Sequence, residues 1–415
     1  MSHGKDDISK RLAALSSQQQ ELLRMRLRQR QHAAEAPSPA TPPNDEALAD
    51  RDGPAPGTMR FSLFFFSDDG SKAGGEKYDL LLQCAKFADR HGYEAVWTPE
   101  RHFQDFGGLY PNPSVLGAAL AAVTTRVQIR AGSVVIPLHH PVRLAEEWSV
   151  VDNLSGGRVA ISIATGWHPH DFVLAPGRYD ERRDDTYRNL EIIQRLWSGD
   201  AVSFEDRDGR AYELKILPRP VQDRLPIWVS IAGNPDTWIH AGEIGANVLT
   251  ALPSTSLDDM SRKFRLYRRA LRGHGHDPRH CTVSVMLHTF LGEDDDDIRR
   301  QVRAPMIRYL KTFFRQKEDL IAGADEIETA DKDAMMSIAF DRYFRDRSLL
   351  GTPQRCAPLI DRLIGMGVNE IACLVDFGLP TSTVLKGLEH LNLLKDRYAQ
   401  HRNEPRIVNR SADHA

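Results

Sequence analysis

The sequence predicts an α/β fold, a (β/α)8 TIM barrel with insertions and a short N-terminal helical extension. Eight short apolar runs occur between residues 60 and 377, and each is followed by a helical or helix-capable stretch. The runs are almost continuously apolar, as expected for parallel strands that are covered on both faces. Eight βα units in succession are typical of a barrel, and an open doubly wound sheet is the alternative.

The predicted strands are rich in β-branched and aromatic residues. In chain order they are RFSLFFF (60–66), YEAVW (93–97), RVQIRAGSVV (126–135), RVAISIA (158–164), PIWVSIA (226–232), ANVLTAL (246–252), TVSVMLHTFL (282–291) and VNEIACLVDF (368–377). Helical patterns such as EKYDLLLQCAKFADRHG and RRDDTYRNLEIIQRLW lie between them. Gly92, Gly156 and Gly367 stand where helix C-caps belong, which supports the predicted helix ends.

The regions that flank the barrel differ from it in composition. Residues 1–34 carry leucines at near-helical spacing and are predicted to form a helical, docking-like segment. Residues 35–58 are rich in Pro, Ala and Asp and are predicted to be an extended linker. The barrel domain is assigned to 59–400, and residues 401–415 are predicted to be a disordered tail.

Two stretches are longer than ordinary connections between a strand and a helix. Residues 202–218 read VSFEDRDGRAYELKILP and are predicted to form a hairpin with DRDG as its turn. Residues 293–350 are charged and helix-like, and they are predicted to form a lid or a dimer flap.

Composition excludes several classes of function. The formal net charge is −3, so neither nucleic acid nor an anionic membrane is expected as the main partner. No apolar run approaches the roughly 18 residues that a spanning helix needs, and the N-terminus lacks a signal-peptide pattern. The cysteines have no CxxC spacing and are expected to be reduced thiols: Cys84, Cys281, Cys356 and Cys373. These features predict a soluble cytoplasmic protein.

The stretch WTPERHFQ places three ionisable residues directly after the second predicted strand. In a TIM barrel the functional groups lie at the carboxyl ends of the strands. Glu100, Arg101 and His102 are therefore expected at the mouth of the barrel, as candidate catalytic residues. The alternative is that the Arg101 and His102 side chains pair with Glu100 and shape the loop.

The stretch AGNPDTWIHAGEIG after the fifth strand is a candidate phosphate site. A Gly–Asn turn leads into a helix that has Pro235 near its first turn and Thr237 just inside it. Backbone N–H groups at a helix N-terminus bind anions, and Gly233 permits close approach. An ordinary turn with Asn234 as the helix cap is the alternative.

The ends of the third and fourth strands offer a platform for a planar ring. Ser133 lies in the third strand, and Thr165, Gly166 and Trp167 follow the fourth. The run 168–171 reads HPHD, but the intervening proline and the lack of a nearby Cys or Glu pair make a metal site unfavourable. His139 and His140 precede Pro141 and are interpreted as a helix-initiation loop.

Other catalytic patterns are missing from the sequence. No GxGxxG follows a strand, and GxxxxGK[ST] and GxSxG do not occur. A Rossmann nicotinamide site, a P-loop and a nucleophile elbow are therefore not supported.

Taken together, these motifs resemble the bacterial luciferase-like flavin-dependent monooxygenases. The resemblance covers roughly residues 59–400 and includes RFSLFFFSDD, YEAVWTPERHFQDFGGLYPNPSV, RVAISIATGWHPHDF and RLPIWVSIAGNPDTWIHAGEIGANVLTAL. It is strongest to the subgroup linked with nonribosomal peptide and polyketide synthases in natural-product biosynthesis. The stretch LSSQQQELLRMRLRQR also resembles short helical segments at the starts of such synthase modules.

The resemblance implies an oxidoreductase that uses reduced FMN supplied by a separate flavin reductase. Oxygen then adds to the flavin as a C4a-(hydro)peroxide, which oxygenates the substrate. It implies phosphate contacts from Gly233, Asn234 and Thr237, and ring contacts from a second group of residues: Ser133, Thr165, Gly166 and Trp167. Members of the family are commonly dimers, so a homodimer is expected.

The sequence departs from the family at one site position. Many relatives carry Glu-His-His-Phe after the second strand, where this chain has Glu100-Arg101-His102-Phe103. A guanidinium stays protonated, so Arg101 cannot act as a general base. It is expected to hold an anionic flavin, peroxide or substrate carboxylate, while His102 is expected to move a proton near neutral pH.

Three functions follow as hypotheses. The first is an FMN-dependent monooxygenase that acts on an acyl or aminoacyl substrate, held on a carrier protein that docks through residues 1–34. The second is a deazaflavin (F420)-dependent oxidoreductase of the same barrel superfamily, which transfers hydride without oxygen. The third is a non-catalytic flavin-binding or docking protein.

Overall fold

A computed structural model describes residues 58–66, 77–166, 168–252, 257–318 and 329–400. The predicted N-terminal segment 1–34, nearly all of the 35–58 linker, the 401–415 tail and Trp167 lie outside the described residues.

Eight parallel strands close into a barrel, as the sequence predicts. The barrel strands are β1 (Arg60–Phe64), β2 (Ala95–Thr98), β3 (Gln128–Val135), β4 (Val159–Ala164), β7 (Ile227–Ile231), β8 (Asn247–Ala251), β9 (Val283–Leu291) and β11 (Glu370–Leu374). Each pairs with its neighbours in chain order, and β11 pairs with β1 to close the ring.

Helices cover the outside of the barrel. They are α1 (Asp79–Arg90), α2 (Pro113–Val123), α3 (Pro141–Ser155), α4 (Arg182–Ser198), α5 (Pro235–Glu243), α6 (Leu257–Gly273), α7 (Asp295–Glu318), α8 (Thr329–Asp346), α9 (Pro353–Met366) and α10 (Thr381–Gln400). Gly156 and Gly367 end α3 and α9 in the left-handed conformation, as the sequence indicates. None of the described helices is long and apolar enough to span a membrane.

Three strands lie outside the eight-unit pattern or at its edge. The antiparallel strands β5 (Val202–Glu205) and β6 (Ala211–Leu214) form a hairpin between α4 and β7. The short strand β10 (Leu349–Gly351) extends the sheet beside β9. The helices α7 and α8 separate β9 from β10.

The last barrel strand is shorter than its apolar run. Residues 368–377 are apolar almost throughout, but β11 ends at Leu374. Beyond it the Asp376 carboxylate accepts hydrogen bonds from the backbone N–H of Phe66, at 2.7 and 2.8 Å from its two oxygens. At Phe66 the Asp376 carboxylate takes the place of a backbone hydrogen-bond partner in the sheet. The apolar residues 375 and 377 are therefore buried in a loop instead of a strand.

A buried ion pair fills the barrel interior below the mouth. Arg130 and Glu370 are at most 1% exposed, and the guanidinium donates to both carboxylate oxygens at 2.9 Å. Ser62 donates to the same carboxylate at 2.7 Å, and Trp97 donates to Ser62. The Arg130 guanidinium also lies 4.3 Å from the ring centre of Trp228. We call this group, with Ser284, the inner polar layer; it closes the barrel beneath the mouth.

Candidate active site at the barrel mouth

Glu100 is the centre of a polar cluster at the end of β2. Its side chain is fully enclosed, because the ends of β2 and β3 meet over it. The Oε1 atom lies 2.9 Å from Nε2 of His102 and 2.7 Å from Nε2 of His139. The Oε2 atom accepts a hydrogen bond from the backbone N–H of Val135 at 2.7 Å. One buried carboxylate therefore binds two imidazoles from two different strand ends.

These contacts set the charges of the cluster. Burial alone would raise the pKa of Glu100, but hydrogen bonds from His102, His139 and Val135 bring it below its ordinary value. Burial disfavours the charged form of His139, yet the hydrogen bond and charge of Glu100 raise the pKa of His139. The result is an ionised carboxylate that holds a proton on His139 to higher pH.

Arg101 follows Glu100 in the chain and is 4% exposed. Burial lowers the pKa of its guanidinium, while the negative charge of Asp171 acts in the opposite direction. A guanidinium remains charged even so. The Arg101 guanidinium does not form an ion pair with Glu100 among the described residues, whereas His102 does. The two candidates thus differ: His102 pairs with the Glu100 carboxylate, whereas the charge that acts most strongly on Arg101 is that of Asp171.

Asp171 supplies the opposing charge from the loop after β4. It is 3% exposed, and among the described residues its Oδ1 atom has no hydrogen-bond partner. Burial raises the pKa of Asp171, and the positive charges of Arg101, His168 and His102 act against that rise. The loops after β2, β3 and β4 therefore bring together what we call the mouth cluster: Glu100, Arg101, His102, His139 and Asp171.

The loop after β2 is fixed by a hydrogen bond within the loop and by a contact with the segment that follows β11. The backbone N–H of Arg101 donates to the carbonyl of Tyr110 at 2.9 Å. The Tyr110 hydroxyl donates to Asp376, which also binds the end of β1. Gly107 lies against Arg101, because a Cβ at Gly107 would lie 2.6 Å from Cγ of Arg101. This bracing holds the Arg101 backbone at the mouth.

Aromatic rings form one side of the mouth. The ring of Phe106 lies 4.9 Å from Phe66 at the end of β1 and 4.8 Å from Tyr309 of α7. The guanidinium of Arg101 lies 5.8 Å from the Phe66 ring centre. We call Phe66, Phe106, Tyr309 and Phe377 the aromatic wall. Through Tyr309, helix α7 of the predicted 293–350 insertion contributes directly to the mouth.

The predicted ring platform lies across from this wall. Ser133 is half-buried, and the peptide bond that joins it to Gly132 is cis. Thr165 and Gly166 follow β4 directly. Gly166 has a φ of +78°, and a Cβ there would meet Phe172 at 2.8 Å and Val135 at 2.9 Å. Only glycine fits this close contact between the β3 and β4 ends.

The predicted phosphate turn lies at the start of α5. Pro235 is the first residue of the helix, and the Asn234 side chain accepts a hydrogen bond from the backbone N–H of Asp236 at 3.0 Å. This cap was the alternative to phosphate binding, and it satisfies one amide of the first turn. Gly233 and Asn234 are exposed, Thr237 is half-buried, and a Cβ at Gly233 would meet no atom within 4 Å. The turn is therefore open to an anion.

These residues fit a flavin nucleotide in two respects. The open helix N-terminus suits a phosphate, because its remaining amides and the helix dipole favour negative charge. Gly166 lets Phe172 and Val135 pack directly against the backbone, which holds the ends of β3 and β4 close together as a platform for a ring. Among the described residues, no set of three His, Cys, Asp or Glu side chains converges as a metal site.

Sequence reasoning missed three polar residues near the mouth. The sequence pattern indicates only a helix-initiation loop for His139, whereas the structure places its imidazole on Glu100. Asp171 was considered only for metal binding. His288 was not singled out, although it is the sole ionisable residue in the apolar run of β9. Its position within that run was a signal that could have identified it.

The fold and the mouth cluster define a TIM-barrel enzyme whose polar groups meet at the carboxyl ends of the strands. Residues 59–370 match the family model of the luciferase-like monooxygenases, so the chain belongs to that family. It is an enzyme of the luciferase-like, flavin-dependent monooxygenase class.

Two curated relatives are similar over much of the chain. One is the oxygenase component of flavin-dependent trigonelline monooxygenase from Acinetobacter baylyi, 26% identical, with 80% of this chain and 93% of the relative covered. The other is 4-hydroxyprotoasukamycin monooxygenase from Streptomyces nodosus subsp. asukaensis, 30% identical, with 56% of this chain and 64% of the relative covered.

Solved structures share the fold at lower identity. Monooxygenase RslO1 from Streptomyces bottropensis has a TM-score of 0.70 at 24% identity, covering 83% of this chain and 100% of that chain. The oxygenating constituent of 3,6-diketocamphane monooxygenase from Pseudomonas putida, in complex with FMN, has a TM-score of 0.67 at 20% identity, covering 82% and 98%. An F420-dependent secondary alcohol dehydrogenase has a TM-score of 0.61 at 17% identity, covering 82% and 99%.

Proposed function

We propose that the chain is an FMN- and oxygen-dependent monooxygenase that oxygenates an acyl or aminoacyl intermediate in natural-product biosynthesis. Reduced FMN, when bound, supplies the electrons and activates oxygen. The protein positions the ring, excludes water and manages protons. The observation that carries this proposal is the enclosed Glu100 carboxylate, which binds two imidazoles beside the buried Arg101 guanidinium.

The mouth cluster assigns separate tasks to its members. Arg101 remains charged, so it binds an anionic group of the reduced flavin or of the substrate and does not remove a proton. His139 holds a proton above the ordinary histidine pKa because Glu100 is ionised. His139 and His102 are therefore the groups that donate and accept protons at the mouth, and Glu100 orients both through Oε1.

The cofactor is proposed to lie between the start of α5 and the end of β3. The amides after Asn234, with the Thr237 hydroxyl, bind the phosphate. Arg183 of α4 lines a surface groove along α5 together with Asp236, His240 and Glu243. Ser133, Thr165, Gly166 and Trp167 are proposed to contact the ring, although Trp167 lies outside the described residues.

The partners are proposed from the relatives. The trigonelline relative is named as an oxygenase component, which supports a separate flavin reductase as electron donor here. The protoasukamycin relative and RslO1 both come from Streptomyces, and the former is named as a monooxygenase of 4-hydroxyprotoasukamycin. These likenesses support a biosynthetic substrate. Residues 1–34 are proposed to dock a carrier protein or synthase module, and the chain is proposed to form a homodimer.

A cofactor titration tests the proposal directly. The purified protein is titrated anaerobically with reduced FMN, with reduced riboflavin and with reduced F420, and affinity is read from flavin fluorescence. We expect FMN to bind most tightly, with riboflavin weaker because it lacks the phosphate. Tight binding of F420 with no binding of FMN would replace the proposal with the hydride-transfer alternative.

A second comparison tests the form of the substrate. One set of acyl and aminoacyl groups is presented both as free acids and on a phosphopantetheine carrier, with reduced FMN and a generic flavin reductase. Oxygenated product is measured by mass spectrometry. We expect carrier-bound groups to turn over faster. Equal turnover of the free acids would contradict the carrier-bound form of the substrate but leave the flavin chemistry intact.

A further inference from the structure

His288 is a buried histidine on the seventh barrel strand, and no step of the proposed chemistry uses it. It is 2% exposed and lies in β9 among apolar neighbours. Burial lowers the pKa of His288 to about 3, so its imidazole is neutral at physiological pH. A neutral imidazole has one nitrogen that donates and one that accepts a hydrogen bond.

The side chain of His288 points into the barrel. Ser284 of the same strand accepts a hydrogen bond from Nε1 of Trp228, whose ring packs against Trp97 in the inner polar layer. Side chains two residues apart share one face of a strand. His288, four residues beyond Ser284 toward the carboxyl end, is therefore on the inner face at the level of the mouth.

One nitrogen of His288 has a partner and the other does not. Nδ1 lies 2.8 Å from the hydroxyl of Tyr343 in α8. Burial raises the pKa of Tyr343, so its hydroxyl keeps the proton that it can donate to Nδ1. We assign the tautomer in which the Tyr343 hydroxyl donates to Nδ1, so that Nε2 carries the imidazole hydrogen. Among the described residues, Nε2 has no hydrogen-bond partner, although a buried donor left alone costs about 1–3 kcal/mol.

A continuous set of contacts links His288 with the mouth cluster. Its ring lies 4.4 Å from Tyr309 and 5.6 Å from Phe377, both in the aromatic wall. Tyr309 contacts Phe106, and Phe106 contacts Phe66, which Arg101 overlies. The unpartnered donor therefore lies at one end of an aromatic surface, and the Arg101 guanidinium lies at the other.

We propose that Nε2–H of His288 binds a carbonyl or phenol-type oxygen of a planar substrate that lies along the aromatic wall. This inference rests on the proposed function and specifies its substrate class: a conjugated or aromatic ring that bears a hydrogen-bond acceptor. Rings of this kind pack favourably on Phe and Tyr side chains. A neutral donor suits an oxygen without full negative charge, whereas an anionic group would bind at Arg101. His288 acts as a binding residue that sets specificity.

A pair of probes tests this inference without knowledge of the substrate. The first probe is α-tetralone, which carries one carbonyl on a fused ring, and the second is tetralin, which has the same rings without oxygen. Both are titrated into the full-length protein loaded with oxidised FMN, and affinity is measured by calorimetry. We expect α-tetralone to bind the wild type about tenfold more tightly, the effect of one hydrogen bond to a buried donor.

The variants separate the hydrogen bond from the ring surface. His288→Phe should abolish the preference, so that both probes bind equally, whereas His288→Gln keeps a donor and should retain much of it. His274→Phe, at an exposed position at the end of α6, is the matched control and should keep the preference. If His288→Phe does not fold, two other variants replace it: His288→Gln, and Tyr343→Phe, which removes the partner of Nδ1. Both should weaken the preference for α-tetralone over tetralin, and both should still bind the rings.

The possible outcomes separate the inference from the proposed function. FMN is titrated on every variant in the same experiment. Failure of the wild type to bind FMN would contradict the proposed function. Intact FMN binding with no α-tetralone binding, or with equal affinity of the wild type for both probes, would contradict the role of His288 alone. A preference that survives in His288→Phe would also overturn that role.

Discussion

The barrel buries charged groups at two levels, and the two levels differ in how completely those groups are satisfied. In the inner polar layer, Arg130 donates to both oxygens of Glu370, and the neighbouring serines and tryptophans complete the hydrogen bonds. At the mouth, the Asp171 Oδ1 and His288 Nε2 atoms are buried without a partner among the described residues.

This difference separates structure from function. A buried polar group without a partner is costly, and a bound ligand, a catalytic role or an ordered water is among the reasons a folded protein keeps one. The inner polar layer is complete without a ligand and supports the fold. The mouth cluster is incomplete without one, and we expect substitutions at the two levels to act on different observables.

The largest expected effect is on stability, in the inner polar layer. Arg130→Met leaves the Glu370 carboxylate buried and uncompensated, so we expect a loss of about 3–5 kcal/mol in the free energy of unfolding. Urea denaturation measures it. Arg143→Met, which removes a side chain that is 71% exposed from a surface pair, is the control and should cost at most about 1 kcal/mol. Equal losses in both variants would contradict the structural role of the layer.

The next largest effect is expected where the β3 and β4 ends meet. Gly166→Ala adds a Cβ that meets Phe172 and Val135 at less than 3.0 Å, at a positive φ. Gly177→Ala has a similar φ of +88° but open space around the new Cβ, so it isolates the backbone cost of about 1–2 kcal/mol. We expect only Gly166→Ala to weaken FMN binding, by about tenfold. Similar FMN affinities in the two variants would contradict the ring platform.

An effect of similar size is expected from the charge of Glu100. Glu100→Gln should destabilise the protein by about 1.5–3 kcal/mol, because two imidazoles and an amide lose an ionised acceptor. The pKa of His139 should fall in the variant, since burial then acts without the opposing carboxylate. Histidine NMR titration measures that fall. Glu243→Gln, which removes the partner of the half-exposed His240, is the control.

The pH dependence of this loss follows from the two shifts. The lowered pKa of Glu100 gives stabilisation above the ordinary value of 4.5, which is lost as pH falls through the folded-state pKa. The raised pKa of His139 gives stabilisation below the ordinary value of 6.5, which is lost as pH rises through the folded-state pKa. The difference between wild type and Glu100→Gln should therefore be largest between pH 4.5 and 6.5. A constant difference across pH would show that the ion pair does not form.

The smallest effect is expected at the start of α5. Asn234→Ala removes a helix cap and should cost about 1 kcal/mol of stability. Thr352→Ala removes the cap of a different helix, α9, and should cost a similar amount. Only Asn234→Ala should reduce the affinity for FMN relative to riboflavin. A reduced preference in both variants, or in neither, would contradict phosphate binding at this turn.

The sequence alone predicts most of the fold, because parallel barrel strands are buried on both sides and appear as apolar runs. The carboxyl-end rule then places Glu100, Arg101 and His102 at the mouth without any coordinates. The sequence offers an Asn234 helix cap as the alternative to a phosphate site, and the structure contains that cap.

The partners of the site residues could not be predicted in the same way. His139 binds Glu100 only because the β2 and β3 ends meet, with Thr98 beside Ala131. Tyr309 reaches Phe106 only because α7, which follows β9, contacts the loop after β2. Such contacts join residues that are distant in sequence, and a local pattern does not encode them.

The measurement that tests the central claim most directly is the oxidation of bound reduced FMN. The protein, loaded anaerobically with reduced FMN, is mixed with oxygenated buffer, and flavin absorbance is followed by stopped flow. If the mouth binds the flavin and excludes water, a transient spectrum distinct from both reduced and oxidised FMN should form. A substitution that only destabilises the inner polar layer, such as Arg130→Met, should not remove this transient. Return to oxidised FMN at the rate of the free flavin, with no transient, would contradict the claim that the mouth is the site of oxygen chemistry.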